Sequence, residues 1–199
     1  MLSSFFAYCL LSFASPSPAT TSSTVKLQYV VLHEGQRVGQ IHATKSTQGD
    51  ATIYEVVTEM NLKILLNQKV NYSSRATYKQ GFLHNGSSVA YVNDKLHNSC
   101  TTTWKDNRYE IRKDKNIIYH NRRFDYSGTL LYFHEPARTT HVYSEMAGQV
   151  NTIRNTGTNL YTLTDTKSKK QNKYRYRNGI LEQAHIDHAL IDLEIRRIR

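Results

Sequence analysis

The chain has 199 residues, a formal net charge of +10, 39% hydrophobic residues, and 14 tyrosines against three prolines. That balance excludes an intrinsically disordered chain, which would be richer in Pro and poorer in aromatic and β-branched residues. The charge implies attraction to anionic partners or surfaces, or plain solubility, and says nothing about fold.

Residues 1–19 read as an export signal. An apolar stretch through Leu2, Phe5, Phe6, Leu10, Leu11 and Phe13 is followed by the small residues Ser17 and Ala19 ahead of Thr20. The run is too short and too interrupted by Ser to span a bilayer. No Lys or Arg precedes it, which points to a start upstream of Met1. Phe6-Ala7-Tyr8 ahead of Cys9 lacks the small residue a lipid-attachment box needs. The expectation is an exported protein, periplasmic or extracellular, with no transmembrane span in the mature chain. A single β-rich domain then covers residues 20–199, about 180 residues and enough for a core. Removing the signal leaves Cys100 as the one cysteine, so no intrachain disulfide forms. Cys100 lies in phase with Leu96, Thr102 and Trp104, and this places it inward.

Strand signals then follow one another. Leu27, Tyr29 and Val31 alternate with Lys26 and Gln28, and Glu34-Gly35-Gln36 turns the chain into a second strand with Gly39 at a bulge or close approach. The clearest signal spans residues 54–79. Tyr54, Val56, Thr58, Met60, Leu62 and Ile64 share one face, then Val70, Tyr72, Ser74, Ala76 and Tyr78 do so after a break at 65–68. Period-two alternation marks an antiparallel sheet with one dry face and one wet face. Asn93-Asp94 and Asp106-Asn107 predict tight hairpins between strands at 82–92, 96–104 and 108–113, with a short strand at 117–119.

Residues 124–136 break the pattern. The spacing of Tyr126, Leu130 and Phe133, ended by Pro136, predicts a short helix plugging the dry face, and a buried strand competes with it. Strands resume at 142–145, 150–154 and 160–164. A basic arm carries Lys167, Lys169, Lys170, Lys173, Arg175 and Arg177, with Tyr174 and Tyr176 on its opposite face, and turns at Asn178-Gly179. A last strand sets Ala189, Ile191, Leu193 and Ile195 against Asp192, Glu194 and Arg196. The fold class expected is all-β: a curved or partly closed antiparallel sheet, half-barrel or barrel-like, of roughly ten strands with one short helical or irregular segment near 124–136.

No phosphate-cradling glycine loop, serine elbow or spaced cysteine cluster is present, so no cofactor and no catalytic residue is assigned. In a strand, His185 and Asp187 share a face while His188 points away, which does not make a metal site. Glu55 and Glu59 fall on the wet face as solubilising charges. The dry-face residues Tyr54, Met60, Leu62, Tyr72 and Trp104, with Tyr132 of the plug, are the candidate contacts for a lipid or other apolar small molecule. The cations Lys169, Lys170, Lys173, Arg175 and Arg177 are the candidate contacts for an anionic surface. Their alternation with tyrosine puts cations and rings on opposite faces, which speaks against a nucleic-acid platform.

Four segments carry a resemblance. They are Tyr29 to Ala43 with Gly35 and Val38-Gly39, Tyr126 to Pro136 (YSGTLLYFHEP), Val142 to Gly148 (VYSEMAG) and Tyr174 to Glu182 (YRYRNGILE). Together they resemble a family of exported bacterial proteins known only as a domain of unknown function. The resemblance implies export and a β-rich single domain, and offers no reaction. At the level of architecture alone the pattern is similar to the half-barrels of periplasmic lipoprotein carriers, which hold acyl chains between a concave sheet and a short lid. The leading expectation is therefore a non-enzymatic binding or carrier domain for an apolar or amphipathic ligand. A basic surface-interaction protein is the second reading and a hydrolytic enzyme the third.

Overall fold

The computed structural model describes residues 23–63, 67–187 and 191–198. Eight strands form a first meander: β1 (Thr24–His33), β2 (Gln36–Gln48), β3 (Ala51–Lys63), β4 (Asn67–Lys79), β5 (Phe82–Val92), β6 (Lys95–Lys105), β7 (Arg108–Lys113) and β8 (Asn116–His120). A connection follows, carrying a 3-10 helix at Gly128–Tyr132. The second meander comprises β9 (His141–Ser144), β10 (Gln149–Gly157), β11 (Leu160–Thr164), β12 (Gln171–Arg177), β13 (Ile180–Asp187) and β14 (Asp192–Ile198). Because β14 pairs with β1, all fourteen strands join one antiparallel sheet, and β8 and β9 are its two edges. Fourteen strands replace the roughly ten expected, and the short segments read as strands at 117–119, 142–145 and 160–164 are present as β8, β9 and β11.

The alternation is observed where the sequence was clearest. On β3, Tyr54, Val56, Thr58 and Leu62 are buried, while Val57 and Glu59 face solvent. Turn chemistry holds as well: Asn93 and Asp94 adopt φ of 50° and 61°, as a two-residue hairpin requires. At Gly39 a Cβ would stand 2.3 Å from the Glu59 carbonyl oxygen, so only glycine lets β2 and β3 approach there. The expected common phase of Leu96 with Cys100 does not hold. A register irregularity pairs Tyr91 with Leu96 and Ala90 with Asn98, and the extra residue turns Leu96 outward while Cys100 and Thr102 stay buried.

The sheet curls until its ends meet. Thr102 of β6 hydrogen-bonds the Tyr143 hydroxyl of β9, and Lys113 Nζ donates to the Ala147 carbonyl at 3.3 Å. The ladder itself stays open. The connection lies across the concave face as a plug, and tyrosine hydroxyls from the sheet tie down its carbonyls. Tyr176 donates to Leu131 O at 2.9 Å and Tyr29 to Tyr132 O at 3.3 Å. A typical buried bond of this kind contributes about 1 kcal/mol net. Phe124 is stacked between Tyr109 and Tyr143, with both centroid separations at 4.2 Å. The segment is thus a short 3-10 helix entered from extended backbone at Ser127 and left through a turn at Phe133, between the helix and the strand that its sequence suggested.

The export signal at 1–19, Ile64, Leu65, Leu66, His188 and Ala189 lie outside the described residues. Asn67 and Gln68, expected in a break, already pair with β3. No helix among the described residues is long and apolar enough to cross a membrane.

Candidate functional site

Between the plug and the sheet lies a chamber of about 270 Å³. Its aliphatic wall comes from Val56 on β3, Val142 on β9, Leu163 on β11, Leu181 on β13, Ile195 on β14 and Leu131 of the plug. Three tyrosines, Tyr72, Tyr132 and Tyr174, bring their rings to it, and Asn151 and Asn172 add amides. Burial raises the Tyr72 and Tyr174 hydroxyls to about 12 and pushes Tyr132 well above the usual phenol range. All three are therefore neutral hydrogen-bond donors at any physiological pH. Glu145 and Asp165 also line the chamber, and among the described residues no Lys, Arg or His does.

Glu145 organises this site. It is only 3% exposed, and it takes four donors from the start of the 3-10 helix. Its Oε1 accepts from Ser127 Oγ at 2.6 Å, Thr129 Oγ1 at 2.8 Å and Thr129 N at 3.1 Å, and its Oε2 accepts from Gly128 N at 3.0 Å. Unpaired amides at a helix start favour an anion, and here a side chain from beyond β9 supplies it in place of a conventional cap. A Cβ at position 128 would lie 2.8 Å from that Oε2, which accounts for Gly128. Opposite, Ser74, Ala76, Gly86 and Ser88 are small inward-facing residues of β4 and β5, which leave room for the plug and the carboxylate. Ser74 and Ser88 satisfy one another at 2.7 Å.

The sequence-predicted ligand contacts divide. Tyr72 and Tyr132 line the chamber. Met60 borders a separate recess of about 440 Å³ on β3–β5, and Leu62 is buried further along β3. Tyr54 packs under the plug, its hydroxyl 3.0 Å from His134 Nε2 and its ring edge-on to Tyr78. Trp104 packs edge-on to Tyr109 and Phe82. Sequence reasoning missed Glu145, Asn151 and Tyr174 as chamber residues. A signal for Glu145 existed in its place within the VYSEMAG segment, directly after an apolar strand.

The basic residues do not form a projecting arm. Lys169 and Lys170 lie at the turn before β12, and β12 is an internal strand between β11 and β13. Tyr174 and Tyr176 are buried beneath it, and Lys173, Arg175 and Arg177 are exposed on its outer side. Lys170 pairs with Asp187 at 3.6 Å and Arg177 with Glu182 at 3.7 Å, while Lys169 Nζ donates to Thr166 O. His185 and Asp187 are exposed on β13, and no group of metal-ligating side chains occurs among the described residues.

The open, curled sheet with a tied plug defines a β-barrel-like all-β protein. It is similar to the crystal structure of a beta-barrel-like protein of domain of unknown function DUF1849 from Brucella abortus. The TM-score is 0.52 and the identity 11%, over 90% of this chain and 96% of that one, so the likeness concerns the fold alone. The chain belongs to the family described as Domain of unknown function (DUF6134), whose sequence profile matches residues 29–198. A search of curated proteins finds no match.

Proposed function

We propose that the protein is a non-enzymatic binding protein acting outside the cytoplasm, and that it takes a small amphipathic molecule into the chamber. The observation that carries this reading is the chamber's lining: an aliphatic wall with a few tyrosines and side-chain amides, the usual composition of a small-molecule site. At about 270 Å³ the chamber equals roughly nine liquid-water volumes, near the lower bound for ligand pockets. A short-chain or single-ring molecule suits that volume, and a long acyl chain does not unless the plug is displaced. With two carboxylates and no cation on the wall among the described residues, an anionic head group would meet repulsion, so the ligand is neutral or cationic. Glu145 is engaged by four protein donors and serves to position the plug, which supports binding over hydrolysis.

The test is native mass spectrometry of protein purified from its own source, beside a Val56→Phe variant that narrows the chamber. The expected result is a small adduct on the wild type and about tenfold less on the variant. A bare polypeptide mass for the wild type under gentle conditions would remove the proposal.

A further inference from the structure

Where the connection leaves β8 and returns to β9, the two sheet edges face each other across a recess of about 520 Å³. Arg122, Arg123 and Arg138 line it, with His120 at the end of β8 and His141 at the start of β9. Asp125 is its one acidic residue. All three arginines are exposed, and none forms an ion pair among the described residues. Elsewhere Arg75, Arg112, Arg177 and Arg196 each sit against a carboxylate, and the other arginines without an ion pair, such as Arg37, Arg154 and Arg175, do not gather around one recess. Arg123 is held in place without one: its guanidinium lies 4.3 Å from the Phe82 ring centroid and 5.5 Å from that of Trp104. Ring contact orients the planar group and leaves its in-plane N–H donors available. Thr140 Oγ1, 2.9 Å from His141 Nδ1, fixes the second imidazole.

We propose that this seam recess binds a phosphate-type oxyanion, either a free phosphate ester or the head group of an anionic lipid. Three guanidinium forks around one hollow match the several acceptor oxygens of such a group better than lysine point charges would. Like charges lining one recess repel one another, and a bound dianion offsets that repulsion. The proposal does not rest on the chamber reading. The two hollows are separate, and one takes anions while the other disfavours them.

Calorimetric titration with inorganic pyrophosphate at low salt tests the site, together with co-sedimentation on vesicles of equal parts phosphatidylcholine and phosphatidylglycerol. Arg122→Gln and Arg138→Gln are each expected to weaken binding about tenfold. A Lys173→Gln/Arg175→Gln control on β12 should change it less than about twofold, with thermal midpoints unchanged in all variants. Binding of pyrophosphate with indifference to vesicles assigns a soluble phosphate ester. Vesicle binding without pyrophosphate binding, still lost in the seam variants, assigns a lipid head group. The proposal is overturned if neither probe binds, or if the β12 control weakens binding as much as the seam variants do.

Discussion

Strand β9 and the start of β10 separate two hollows of opposite electrical character. Val142, Ser144 and Asn151 face the chamber, whereas His141, Tyr143, Val150 and Thr152 face the seam. The period-two rule that sorts a sheet into a dry and a wet face here sorts a few residues between two candidate sites. Among the described residues, two carboxylates and no cation stand on one side, and three arginines and one carboxylate on the other. A net charge of +10 is therefore a poor guide to where an anion would go. Position relative to counter-charges decides it.

The largest way to break this contrast is Glu145→Ala. It strips the acceptor from two hydroxyls and two amides in a buried place, and a loss of about 3–5 kcal/mol in urea unfolding is expected. Glu145→Gln keeps one acceptor oxygen and should lose less. A change below about 1 kcal/mol for the alanine variant would mean that the plug is held by other contacts.

Alkaline pH should act next most strongly, through the tyrosines. Burial raises Tyr109, which is fully buried, to about 12. The folded state therefore keeps a proton that the unfolded state releases above about pH 10. Its contribution is fully present below that pH and is lost as pH rises toward 12. The decline is about 1.4 kcal/mol per pH unit for this group, and the other buried tyrosines steepen it. A urea midpoint that stays flat from about pH 9 to 11 would contradict this.

The smallest effect belongs to the seam. Arg138→Gln removes an exposed, unpaired charge, so stability should shift by less than about 0.5 kcal/mol while oxyanion binding falls. A large stability loss would show the arginine to be structural. Leu96→Lys should be similarly neutral, because the register irregularity has already turned that side chain outward.

Much of the sheet was legible from residue order. Alternation over 54–79 and the Asn-Asp and Asn-Gly turns are local signals, and local sterics enforce them. The Leu96 error shows the limit: one extra residue reverses the phase, and nothing in the flanking side chains announces it. Facing inward is also not the same as lining a hollow. Tyr54 and Trp104 point inward as expected, yet they pack under the plug and against other rings, because alternation carries no information on depth. Glu145 meets partners 16 to 18 residues earlier in the chain, and the seam arginines come from both ends of the connection. Such sites exist only once the chain has crossed its own sheet. Within the basic run at 167–177, neighbouring β13 sets Asp187 beside Lys170 and Glu182 beside Arg177, pairings that charge order along the chain does not announce.

The most direct measurement is an X-ray structure of protein purified from its source without refolding. The account predicts continuous non-protein density beside Tyr72, Tyr132 and Tyr174, walled by Leu163 and Ile195. A chamber collapsed on its own side chains, or holding water alone, would contradict it.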